Sequence, residues 1–179
     1  MSQKPLTFIA ILSTLILFSS CKKNSAGTPP VNPAKPIQFT INGSAVSYAN
    51  CFYTVPYTNG NFEVIIAATN TVDTQTATSF ILNFQIRLVI DASGVKAGQT
   101  FPIATSGGQI GTAMLYYTPD GVNDFATQYA NAQGTVTITG VTSNMISGTF
   151  SGKLFAASDT GGITVVYTIT NGIFQASAG

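Results

Sequence analysis

A single antiparallel β-sandwich or β-barrel of about eight to ten strands is the fold this 179-residue sequence predicts. Three observations predict it. Apolar residues recur at every second position in Phe80, Leu82, Phe84, Ile86, Leu88 and Ile90, with Ser79, Asn83, Gln85 and Arg87 between them. That period puts one row on a buried face and the other toward water, although Ile81 and Val89 extend cover to part of the second face. Short apolar runs follow one another with turn signals between them. From Ile37 onward the composition is uniform, rich in Thr, Ile, Val, Phe, Tyr, Gly and Asn and poor in Leu, Glu, Lys and Arg, which is the bias of strands and turns.

Residues 1–20 read as a lipoprotein export signal. Lys4 precedes an apolar run from Leu6 to Phe18, and Ser19, Ser20 and Cys21 follow it. A helix needs about 20 apolar residues to cross a hydrocarbon core of roughly 30 Å, so this run is the apolar stretch of a signal and not an anchor. Ordinary signal cleavage before Cys21 would require a small residue where Phe18 stands, whereas lipoprotein processing tolerates an apolar one. The alternatives are a secreted protein cut elsewhere and a buried cysteine behind a wrongly placed start. In the lipoprotein reading Cys21 becomes the first mature residue, with diacylglycerol on its sulfur and a fatty acyl group such as palmitate on its amine. Two or three chains anchor a protein stably where one does not. The expected location is the outer membrane, by lipid attachment.

Residues 21–36 form a tether of Lys, Asn, Ser, Gly and Thr with four prolines, a composition that cannot build a core. Extended at about 3 Å per residue, it reaches up to about 45 Å from the bilayer. Lys22, Lys23 and Lys35 lie in it and read as a solvated spacer near lipid headgroups. From Ile37 onward Arg87, Lys96 and Lys153 face six acidic residues. A net-negative domain without a basic patch argues against a nucleic-acid partner.

Residues 37–179 suffice for one domain that buries about two thirds of its unfolded surface. Once Cys21 is lipidated, Cys51 is the only cysteine left, so no disulfide is expected. Strands are predicted at Ile37 to Ile41, Ala45 to Val55, Phe62 to Thr69, Phe80 to Ile90, Thr112 to Tyr117, Thr135 to Val141, Ile146 to Phe155, Ile163 to Ile169 and Ile173 to Gln175. Turn signals separate them at Asn42-Gly43, Asn59-Gly60, Ser106 to Gly108, Asp120-Gly121, Ser143-Asn144, Thr160 to Gly162 and Asn171-Gly172, the last a tight turn or a bulge. The one candidate for a short helix is Val122 to Ala132, where Phe125 and Tyr129 fall four apart; a loop is the alternative. Gly148 and Gly152 alternate with Ile146, Phe150 and Leu154 on one face, where they either leave room for large neighbours or allow a bend.

The stretches Gly134 to Gly140, Ile146-Ser-Gly-Thr-Phe-Ser151 and Ile169-Thr-Asn-Gly-Ile-Phe174 resemble a family of uncharacterised Bacteroidota lipoprotein domains. Its strands carry Ser-Gly-Thr-Phe and close with Thr-Asn-Gly-x-Phe. Phe39-Thr-Ile-Asn-Gly43 is similar to that family's opening strand, and Cys21-Lys-Lys-Asn24 to its mature start. The resemblance implies an all-β domain of unknown activity and supplies no catalytic motif. Surface-display signals in these bacteria favour acidic residues after the lipidated cysteine. Here only Asn24 stands in that region, which leaves the periplasmic face and the cell surface both open.

For function, the sequence keeps three classes in play. A binding or envelope-structural module is favoured: Tyr48, Tyr53, Tyr57, Tyr116, Tyr117 and Tyr129, with Asn-rich loops, are the candidate surface for a glycan or an envelope-protein partner. Tyrosines also populate strands without any ligand. The second class is a glycan-active enzyme, since such chemistry needs only two carboxylates about 5 to 9 Å apart. The absence of histidine removes the usual acid–base and nucleophile sets and leaves Cys51 as a small apolar residue. The third is a pilus-like subunit that completes a neighbour's sheet by strand addition, with Ile163 to Phe174 as the detachable strand. Asp120, Asn123 and Asp124 are weak calcium candidates, lacking the spacing and terminal glutamate of an EF-hand loop; an Asp-rich turn is the ordinary explanation. No cofactor is expected.

Overall fold

The computed structural model describes residues 35–58, 60–70, 83–104, 108–120, 125–127, 133–157 and 163–179. The signal, Cys21 and most of the tether lie outside these residues, as do residues 80–82 of the alternating strand.

The chain opens with a hairpin. β1 (Ile37–Ile41) pairs with β2 (Ser44–Tyr48) so that Ile41 faces Ser44, leaving Asn42 and Gly43 as a two-residue turn with φ of 47° and 85°. Positive φ at both positions is what a type I′ turn demands, and Asn-Gly meets it at least cost. The predicted strand from Ala45 to Val55 is two strands in the structure. It breaks at Ala49, because β2 belongs to β1 whereas β3 (Asn50–Thr54) pairs with β5 (Asn61–Thr69). The Ala49 amide, released from either ladder, donates to Asn70 Oδ1 at 3.1 Å. A two-residue strand, β4 (Tyr57–Thr58), folds back on the start of β5.

β5 continues antiparallel into β6 (Phe84–Ile90) and then β8 (Thr112–Tyr117). Between them lies β7 (Thr100–Pro102), which the sequence reading missed. Three residues ending in proline are too short to show a period. The predicted helix from Val122 to Ala132 is corrected at its described residues: Phe125–Ala126 is β9, whose Ala126 pairs with both Tyr116 and Phe155. Packing of the Phe125 ring on Tyr167, with centroids 4.8 Å apart, overrides any local helical preference.

β10 (Gly134–Val141) and β11 (Met145–Ala157) form the second long hairpin. The two predicted C-terminal strands are one, β12 (Ile163–Ala178). Asn171, at φ 54°, is a bulge within it: Gly152 faces Ile169 while Phe150 faces Gly172. A single residue in the left-handed region lets the strand absorb an extra position and keep its ladder.

β12 pairs with β11 along one edge and with β1 and then β3 along the other. The pairings therefore run β12–β3–β5–β6–β8–β9–β11 and return to β12, closing a ring as in a barrel. The sheet is antiparallel apart from the β12–β3 contact and the bridge between Ile103 and Ala113, both parallel. The described residues are all-β, with no helix among them.

The ring encloses a packed core. Phe39, Phe84, Phe150 and Phe174 are at most 4% exposed. Phe39 meets Phe84 at 4.7 Å and Phe150 at 5.6 Å between centroids, and Phe84 meets Phe150 at 5.1 Å. Ile66, Ile86, Leu88, Leu115, Ile138 and Leu154 are among the aliphatic residues that pack around these rings, each contributing about 1.5–3 kcal/mol by burial. Two glycines make this packing possible. In the β11–β12 ladder Gly148 faces Phe174, and Phe150 faces Gly172. A Cβ on Gly148 would lie 2.5 Å from Phe174 Cζ, and one on Gly172 would lie 2.7 Å from the Phe150 ring. Each ring thus lies over the other strand's glycine.

Candidate functional site

The structure disperses the predicted tyrosine surface. Tyr48 and Tyr117 are buried, 6% and 8% exposed, and both rings pack against Phe39, with centroids 6.3 and 6.2 Å away. Desolvation pushes both phenols above their usual range, with Tyr117 adding to the effect at Tyr48. Tyr53 is half-buried and packs against the core. Tyr116 stands half-buried on the outer wall. Tyr57 alone of the described candidates is fully in solvent, 66% exposed, with its ring 4.9 Å from that of Phe62. Tyr129, Asn123 and Asp124 lie outside the described residues. Asp120 is exposed, and among the described residues no three metal-ligating side chains converge.

On the outer wall of β5, β6 and β8 sits a charged pair that the sequence reading did not single out. Arg87 donates through Nε to Glu63 Oε2 and through Nη2 to Glu63 Oε1, both at 2.7 Å. The Glu63 side chain is only 5% exposed and that of Arg87 30%. Ile65 is the direct partner of Arg87, so Glu63 reaches it along the diagonal, two positions away on the same face. Burial lowers the Arg87 pKa, but hydrogen bonds and charge from Glu63, joined by Tyr116, outweigh it and hold the guanidinium above its usual range. The signal was present in the sequence: these are two opposite charges on neighbouring strands of a domain nearly empty of charge.

A cleft of about 470 Å³ opens where β12 leaves β1 and joins β3. Pro36, Asn50, Cys51, Met145, Gln175 and Ser177 are among the residues lining it, and every lining side chain is uncharged. Asn50 Nδ2 donates to the Thr69 carbonyl at 3.3 Å, and Gln175 Nε2 to Met145 Sδ at 2.6 Å. The Cys51 thiol is buried, and desolvation pushes it up to about 12, so at neutral pH it is a neutral thiol and no nucleophile. The cleft offers amide and hydroxyl groups beside apolar surface, a lining suited to neutral polar ligands. It follows from strand exchange at the seam, which no local motif announces.

Comparisons of the chain with protein-family models, curated proteins and solved structures found no match.

Proposed function

We propose that the protein is a lipid-anchored outer-membrane lipoprotein whose β domain is a non-catalytic binding or envelope-structural module, allied to the Bacteroidota domain family that its Gly–Phe motifs resemble. The observation that carries this reading is the filled barrel. Small barrels that hold a ligand do so in the interior, and here aromatic rings occupy that space. Recognition is left to the outer surface, where the seam cleft on the wall is available to a glycan or an envelope protein.

Two features weigh against the alternatives. Glu63, the most buried carboxylate among the described residues, is committed to Arg87 through both oxygens and is not free for glycan chemistry. Strand addition would require release of β12, which is paired on both edges.

The anchor is tested with Cys21→Ala. The parent should sediment with membranes and the variant should be soluble or unprocessed; equal sedimentation of both overturns lipidation at Cys21. The module is tested by thermal shift of the full-length protein in detergent against polysaccharides and small glycans. Saturation at about a hundred times the dissociation constant stabilises by about 2.7 kcal/mol, a shift of a few degrees for a protein of this size. No shift across the panel would move weight to a protein partner.

A further inference from the structure

Strand direction assigns the described connections to one end of the barrel or the other. β1 runs away from Lys35 and Pro36, and β12 and β3 run back toward them. The end where the chain comes in, here the proximal end, therefore also carries the residues that follow β3 around Tyr57, the loop that follows β6 from Asp91, residues 108–111 ahead of β8, the β10–β11 turn and Gly179. The β1–β2 turn lies at the opposite, distal end. Five large apolar side chains are exposed among the described residues: Val55, Tyr57, Phe62, Ile110 and Val141, at 36–66%. All five belong to the proximal end. Asn61 Nδ2 donates to the Gly108 carbonyl at 3.2 Å and ties the Tyr57–Phe62 hairpin to the loop that bears Ile110. The rim is thus a built surface of two linked loops.

Scattered exposed apolar residues are ordinary, but confinement to one end of a barrel is not. The same end receives the 13 residues that connect Cys21 to Lys35. Resting on the lipidation proposed above, we propose that the proximal rim is a lipid-facing surface. The barrel sits end-on at the bilayer, with Tyr57, Phe62 and Ile110 in the headgroup and upper acyl region. A tyrosine suits that position because its ring is apolar and its hydroxyl stays hydrated. Lys35 and Lys96 are exposed at this end, Lys96 close enough to Asp91 to act on its charge, and both can reach lipid phosphates. The distal end and barrel wall face outward to a partner.

The sequence contains no tryptophan, so a single one reports its own depth. Tyr57→Trp and, as the distal control, Ala45→Trp are made in the full-length acylated protein and reconstituted into phosphatidylcholine–phosphatidylglycerol vesicles with brominated acyl chains. Interfacial side chains sit about 5–10 Å into the headgroup boundary, so emission from position 57 should fall about twofold or more, while position 45 keeps its emission. Equal emission from both positions, in protein that sediments with the vesicles, overturns the rim proposal and leaves the anchor intact. Protein that does not sediment overturns the anchor, and the rim proposal with it.

Discussion

The β11–β12 ribbon and the β5–β6–β8 wall are both antiparallel and both alternate, yet they fix their register by different means. In the wall, every inward position carries a side chain, from Ala68 opposite Phe84 and Ala113 opposite Leu88 to Val64, Ile66, Ile86 and Leu115, and the outer face adds one diagonal ion pair. In the ribbon, each inward phenylalanine lies over the opposing strand's glycine, Phe150 with Gly172 and Phe174 with Gly148. The wall tolerates exchange of one aliphatic residue for another at modest cost. The ribbon is a reciprocal fit: a shift of one residue sets each ring against a Cβ and turns the core face outward. Shape complementarity in the ribbon and apolar volume in the wall are thus separate sources of specificity.

The sharpest way to break the comparison is to remove a ring. Phe150→Ala should cost about 3–5 kcal/mol, read as the fall in the urea midpoint. Filling the glycine comes next. Gly148→Val should cost about 3 kcal/mol, the upper range for overpacking, whereas Ile86→Val in the wall should cost about 1 kcal/mol. Equal losses for these two would dissolve the distinction. A cycle of Gly148→Ala with Phe174→Ala should show coupling of at least about 1 kcal/mol, since loss of the ring relieves the side-chain part of the clash at residue 148 and leaves only the contact with the Thr137 carbonyl.

The wall's ion pair is expected to matter less than its geometry suggests. Glu63→Gln leaves Arg87 without its charged partner, but Arg87 reaches solvent, so the loss should be about 1–2 kcal/mol and not the larger cost of a fully buried pair. Asn42→Ala removes two side-chain bonds to β12, Nδ2 to the Val166 carbonyl and Oδ1 from the Thr168 amide; about 1–2 kcal/mol is expected.

The smallest effect concerns pH. The Cys51 thiol titrates near 12 in the folded chain and near 8.5 unfolded. The folded state keeps a proton that the unfolded state releases, so this contribution to stability is intact below about pH 8.5 and is lost as pH rises toward 12. At pH 8, iodoacetamide should label Cys51 only on unfolding, whereas rapid labelling of the native protein would show an open thiol.

Much of the strand layout was legible because burial on one face forces a period of two, and because Asn-Gly meets the dihedral demands of a tight turn. The glycines among Ile146, Phe150 and Leu154 were readable as room for a large neighbour, though which ring would fill it depends on a pairing between segments some 25 residues apart in the sequence. Three features stayed hidden for one reason, that partner strands set them and local chemistry does not: the break at Ala49, the merging of the last two strands through the Asn171 bulge, and the conversion of Phe125–Ala126 from candidate helix to bridging strand. The candidate surface was less legible still. Tyrosine is at home in either a core or a surface position, and only the strand's face decides that Tyr48 points inward while Tyr57 stands in solvent.

Closure of the ring by β12 underlies the filled core, the seam cleft and the definition of the two ends. Native-state hydrogen exchange of the β12 amides tests it most directly. The account predicts that amides from Ile169 to Phe174, where β12 is paired on both edges, exchange as slowly as those of β5 and β6, by global unfolding alone. Exchange through a separate, lower-energy opening of β12 would contradict closure and return the terminal strand to the role of a detachable one.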